Sequence, residues 1–180
     1  MSRNQEKLTK TTRLWVQDTW KICHPEWFIT LLWNDRPGEP ITPASHARQF
    51  KNVFLCKLYD KRRCDRLPSF PERVGMTIFH ERARDEKNRW MFHTHIHLLG
   101  EIVGMEYGWE IDWFIRSKCS AHIQKLLKTD ADGNSGVVVE KWIPERHANY
   151  NYKDFFRFRD CQDGDQVLDF ENSDFTTLHS

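Results

Sequence analysis

Apolar residues along this chain change period from segment to segment, and polar stretches rich in glycine and proline separate the segments. Residues 1–26 are polar with apolar positions at Leu14, Trp15, Val16 and Trp20, which predicts a short helical extension. Trp27-Phe28-Ile29-Thr30-Leu31-Leu32-Trp33 is aromatic and β-branched and runs into Asn34-Asp35-Arg36-Pro37-Gly38, a strand entering a turn. Thr42-Pro43 supplies an N-cap followed by a first-turn proline. Phe50, Val53, Phe54 and Leu58 then repeat at helical spacing, so a helix is expected to end near the Lys61–Arg66 cluster, before Pro68. Arg73 to Glu81 and Trp90 to Val103 read as two strands of a hairpin around a charged turn. Ile111, Ile115, Cys119, His122 and Leu126 form one stripe of a helix expected over 109–128, with Lys125 and Lys128 at its end. Val137-Val138-Val139 opens another strand, ending near Trp142, and Ile143-Pro144-Glu145 starts a helix expected to reach about Phe158. The last stretch, from Asp160, is acidic and is expected to pack loosely. The order is strand, helix, strand, strand, helix, strand, helix. It predicts an α+β fold: an antiparallel sheet with a βαββαβ, ferredoxin-like or RRM-like core flanked by helices.

Composition narrows this picture. A chain of 180 residues suits one main domain, here expected over 27–159, between the extension (1–26) and an acidic tail (160–180). With 29% charged and 13% aromatic residues it is not a disordered composition. The formal charge of +1 does not announce a nucleic-acid binder, but Lys57, Lys61, Arg62, Arg63 and Arg66 form a local cluster able to hold phosphates. As a solvated helix face, the cluster has an equally good explanation. The five cysteines are scattered, odd in number and without a C-x-x-C pair, which suits reduced thiols. No apolar run reaches membrane-spanning length, and the start Met1-Ser2-Arg3-Asn4-Gln5 lacks a signal-peptide core. A cytoplasmic protein with no membrane partner is expected. The absence of a G-x-x-x-x-G-K-[ST] loop argues against a nucleotide-driven motor.

Chemistry concentrates in Met91-Phe92-His93-Thr94-His95-Ile96-His97-Leu98-Leu99-Gly100. On a strand, His93, His95 and His97 project from one side. Neutral imidazole is a common ligand of divalent metals, and two of them one strand repeat apart can grip one ion. A lone histidine is usually an ordinary half-buried residue; three on one face favour a metal. Either His93 with His95 or His95 with His97 has ligand spacing. The third ligand is expected from the neighbouring hairpin strand, with Glu81 first and His80 second; they point to opposite faces of a regular strand. Ala148-Asn149-Tyr150-Asn151-Tyr152-Lys153 is the second segment. Tyr150 and Lys153 share a helix face, and an ammonium beside a phenol favours the phenolate. Tyr152 is the alternative nucleophile. A packed aromatic is the usual fate of such a tyrosine. His147 precedes Tyr150 by one turn, a spacing that reads as chance. Thr30, Trp33, Trp90 and Trp109 are candidates for contact with DNA, although core packing explains most tryptophans equally well.

Together these segments resemble the HUH endonuclease domain of rolling-circle replication initiators, the Rep proteins of plasmids, phages and small DNA viruses. Phe28-Ile29-Thr30-Leu31 resembles the first-strand motif, His95-Ile96-His97-Leu98-Leu99 the His-hydrophobic-His motif, and Tyr150-Asn151-Tyr152-Lys153 the nucleophile motif. They occur in the family's order over about residues 27–158. The resemblance favours His95 and His97 as the ligand pair, with Glu81 as the third ligand. It implies Mg²⁺ or Mn²⁺, Tyr150 as nucleophile with Lys153 beside it, and a 5′-phosphotyrosyl intermediate that retains the bond energy for rejoining. Single-stranded origin DNA is the implied partner, and any unwinding would come from a separate helicase. A single-tyrosine HUH transposase and a non-catalytic single-strand binding module with a structural metal are the alternatives.

Overall fold

Alternation along five antiparallel strands gives the sheet two unlike faces. The computed structural model describes residues 3–34, 43–84, 90–128, 136–147 and 166–176. Within them, α1 (Arg3–Ile22) precedes β1 (Pro25–Leu32) and α2 (Pro43–Leu58); a short 3-10 turn (Cys64–Arg66) leads to the hairpin β2 (Gly75–Arg84) and β3 (Trp90–Leu99). Then follow α3 (Gly108–Lys118), α4 (Ser120–Leu126), β4 (Val137–Lys141), α5 (Pro144–His147) and β5 (Gln166–Leu168). The strands lie in the order β4-β1-β3-β2-β5. The fold is α+β, as the patterning predicts.

Trp27, Ile29 and Leu31 of β1, Met76 and Ile78 of β2, and Ile96 and Leu98 of β3 are buried on one face. Helix α2 lays Ala47, Phe50, Phe54 and Leu55 on them, and α3 adds Ile111, Phe114 and Ile115. Both helices show the three- and four-residue spacing of an apolar stripe. Each large side chain so buried contributes roughly 1.5–3 kcal/mol, so this face anchors the sheet. The single helix expected over 109–128 is divided at Cys119, whose ψ of 29° leaves the helical region. The Gln124 side-chain amide donates to the Arg116 carbonyl at 2.9 Å, capping the end of α3 that the division opens.

The opposite face is covered differently. The N-terminal extension is a long helix, and its Val16 and Trp20 pack with Phe79, Leu99 and Leu168 in a second core. Trp20 Nε1 donates to Thr77 Oγ1 at 3.1 Å.

The acidic end of the chain does not pack loosely where it is described. β5 pairs with the outer edge of β2 through Phe79↔Leu168, His80↔Val167 and Glu81↔Gln166. Beyond it, the Met76 N–H donates to Asp174 Oδ2 at 2.9 Å and the Ile78 N–H to Ser173 Oγ at 2.9 Å. These side chains satisfy an edge that would otherwise be open. Asp174 also accepts from Arg73 at 2.8 and 3.2 Å and pairs with Lys51 at 2.8 Å. The tail's negative charge is thus matched to two half-buried cations, a relation that composition alone conceals. Burial alone would push the Asp174 carboxyl up, but Arg73 and Lys51 together hold it below the ordinary range. At Lys51 the burial cost outweighs the attraction of Asp174 and lowers its pKa, so the bidentate Arg73 pair is the firmer half of this contact. Among the described residues, no helix is long and apolar enough to cross a membrane.

Candidate metal centre

Cross-strand register sets the site out in rungs. Residues directly paired in antiparallel strands share a face. Phe28, His97 and Thr77 form one rung; Thr30, His95 and Phe79 the next; Leu32, His93 and Glu81 the third. His93 therefore stands directly opposite Glu81, with His95 on the diagonal. One ligand atom from each of Glu81, His93 and His95 lies within 4.8 Å of the others. Ligand atoms about 2.0–2.2 Å from a single ion stand roughly 3–4 Å apart, so small side-chain rotations bring the three onto one ion.

The protonation pattern suits such an ion. His95 Nε2 lies 2.9 Å from Glu81 Oε2, and His95 Nδ1 lies 3.1 Å from Thr30 Oγ1. Without metal, the His95 Nε2–H donates to the carboxylate while the Thr30 hydroxyl donates to Nδ1. An ion at Nε2 would need the proton on Nδ1, where Thr30 Oγ1 would accept it and fix the ring. His93 Nε2 is buried and, among the described residues, meets no hydrogen-bond partner. A buried ring nitrogen in that state has a ligand's availability. Burial lowers the His93 pKa, His95 and Lys128 lower it further, and Glu81 opposes them. The ring is neutral at pH 7, the form that binds metal. The donor set of two imidazoles and one carboxylate fits a divalent transition metal. It suits Mn²⁺ better than Mg²⁺, which prefers oxygen and water.

His97, expected to ligate with His95, is held elsewhere. It is fully buried, its ring stacks on Trp20 at 4.5 Å, and Trp142 Nε1 donates to its Nδ1 at 3.2 Å. A neutral imidazole that accepts at Nδ1 carries its proton on Nε2, so ligation at Nε2 would require the Trp142 contact to break. Burial sets its pKa well below the ordinary value, with His95 and His147 adding to the effect. His80, the second choice for third ligand, points to the other face. Its Nε2 lies 2.9 Å from Asp169 Oδ2 and its Nδ1 2.9 Å from Thr94 Oγ1. Trp33 Nε1 donates to the same threonine oxygen at 2.6 Å, which makes Trp33 a core residue and not a surface for DNA.

Helix α5 starts over the histidine face. Pro144 takes its first position, where a missing N–H costs nothing. His147 stacks on Phe28 at 4.4 Å, and its Nδ1 accepts the Ile143 N–H at 2.8 Å. His147 therefore clamps the first turn of the helix to the sheet. Phe28 stacks in turn on His95 at 5.3 Å. The expected nucleophile Tyr150, its alternative Tyr152, and Lys153 lie outside the described residues. Trp109 is exposed on α3. The basic cluster around Lys61 is exposed and follows α2, which covers the apolar face of the sheet.

Two roles escape the sequence. Thr30 reads there as a candidate for DNA contact, whereas its register partner is His95. His93 reads as the less favoured member of the ligand pairs, because the family motif begins two positions later. No protein-family model, curated protein or solved structure matches this chain significantly.

Proposed function

We propose that this protein is a metal-dependent enzyme that nicks and joins single-stranded DNA through a tyrosine, in the manner of HUH replication initiators. The observation that carries the reading is the convergence of Glu81, His93 and His95 on one sheet face. The position of His147 on that same face, three positions before Tyr150 in the sequence, supports it. Glu81, His93 and His95 would hold the ion, with Thr30 accepting from His95 Nδ1 when Nε2 ligates. A divalent ion there supplies Lewis-acid polarisation of a phosphodiester oxygen.

The Tyr150 hydroxyl loses its proton, favoured by the Lys153 ammonium, and its oxygen attacks phosphorus. The bond to the 3′-oxygen breaks, leaving a free 3′-hydroxyl and a 5′-phosphotyrosyl protein. Attack by another 3′-hydroxyl reverses the step and joins strands without ATP. In this proposal the ligand pair is His93–His95 rather than His95–His97, and Mn²⁺ is preferred to Mg²⁺.

The test is incubation of the full chain and Mn²⁺ with a randomised single-stranded DNA library, followed by denaturing electrophoresis and sequencing of the junctions. A protein–DNA adduct at a defined sequence is expected from the wild type and from His97→Gln. None is expected from Tyr150→Phe or His93→Ala. Absence of any wild-type adduct across the library and a range of divalent ions would overturn the nuclease reading.

A further inference from the structure

The end of α2 reverses the chain and lays one cysteine against another. Asp60 takes the left-handed backbone, with φ of 49°. The Lys61 N–H reaches the Cys56 carbonyl at 2.7 Å, and the Asp60 N–H reaches the Lys57 carbonyl at 3.4 Å. This nested pair closes the helix and turns the chain back along it. Cys64 opens the 3-10 turn that follows. Its Sγ lies 3.3 Å from the Sγ of Cys56, eight positions earlier, and 3.8 Å from the Asn52 carbonyl one helical turn further back. Cys64 is exposed and Cys56 is half-buried.

The geometry points to a modification site here: an intramolecular disulfide between Cys56 and Cys64, formed on exposure to a peroxide. The sulfurs must approach by about 1.3 Å to reach a bond length near 2.05 Å. The helix-ending turn already fixes the reversal, so little chain freedom is lost in closing it. The two thiols divide the work. Cys64 meets the oxidant first, because it is the exposed member of the pair. Its thiolate sulfur attacks one peroxide oxygen; the O–O bond breaks, hydroxide leaves, and a sulfenic acid forms. The Cys56 sulfur then attacks the sulfenic sulfur. The S–O bond breaks, and the oxygen leaves as water with the Cys56 proton. Two thiols and one hydrogen peroxide become one disulfide and two waters. Burial and the hydrogen bond with Cys64 push the Cys56 thiol up to about 11, so Cys56 is the slower of the two toward peroxide, and its 3.3 Å approach to Cys64 Sγ places it to resolve the sulfenic acid. Closure ties the last turn of α2 to the loop that carries the basic cluster.

The test is peptide mapping by mass spectrometry of the full chain. The protein is reduced, desalted, treated with stoichiometric hydrogen peroxide and alkylated without further reduction. The expected product is a linked pair of peptides containing Cys56 and Cys64, lighter by two hydrogens and separated again by dithiothreitol. In Cys64→Ser, Cys56 should stay fully alkylatable; in Cys119→Ser the linked pair should still form. Conversion of Cys64 to a sulfinic acid with Cys56 still alkylatable, or linkage of Cys64 to another chain, would overturn the proposal. The wild-type map decides the matter even if the serine variant does not fold.

Discussion

His95 and His97 stand two positions apart on one strand and face the same way, yet they occupy different chemical worlds. Around His97, α1 and Trp142 seal the sheet: Trp20 stacks on the ring, Trp142 donates to it, and Phe79 packs edge-on at 5.3 Å. Around His95 the neighbours are a carboxylate, a hydroxyl and a second imidazole. The sealed half offers apolar contact and a fixed tautomer; the other half offers lone pairs. Strand alternation decides which face a histidine occupies. What covers that face decides whether the histidine is a core residue or a ligand.

The largest effect is expected in the sealed half. His97→Ala removes a fully buried stacked ring and should cost on the order of 2–4 kcal/mol of stability, seen as a fall of several degrees in Tm. An unchanged Tm would mean that α1 does not hold this half shut. In the other half, Glu81→Ala should weaken Mn²⁺ binding by at least about tenfold to a hundredfold, the range seen when metal-site partners are lost, while Tm falls far less than in His97→Ala. Isothermal titration with thermal melts of both variants separates the two effects. A smaller change sharpens the boundary between them. Thr30→Val keeps the side-chain shape but removes the partner of His95 Nδ1, so Mn²⁺ affinity should drop by about tenfold, and Thr30→Ser should restore it. Equal affinity in the valine variant would remove Thr30 from the metal centre.

The opposite face gives the smallest effect, read in pH. Burial would raise the Asp169 carboxyl, but hydrogen bonds from His80 and Asn172 outweigh it and hold it below the ordinary value of 3.8. Folding therefore favours the ionised form. The stabilisation is complete above the unfolded value and is lost as pH falls through the folded one. Asp169→Asn should flatten the acid limb of the stability profile below the ordinary carboxylate range. An identical acid limb would show that the pair with His80 contributes nothing there.

Much of this architecture is legible in the sequence because it rests on periodicity. The strand from Trp27, the hairpin and the stripes at Phe50–Phe54 and Ile111–Ile115 each follow from the spacing of apolar residues. Glu81 as a neighbour of the histidines also follows, since hairpin register is local. Long-range relations do not. That Trp20 covers His97, that Asp174 meets Arg73, and that Trp142 fixes a tautomer depend on residues 45 to 101 positions apart. No local pattern carries that information. The motif His95-Ile96-His97 does not separate the two neighbours of His95, because spacing is symmetric about a central histidine, whereas burial is not.

Glu81, His93 and His95, without His97, are expected to form the metal centre. Mn²⁺ titration followed by electron paramagnetic resonance tests it most directly, with the wild type compared against His93→Ala and His97→Gln. One bound Mn²⁺ with nitrogen hyperfine coupling is predicted for the wild type, kept in His97→Gln and lost in His93→Ala. Loss in His97→Gln with retention in His93→Ala would contradict the account.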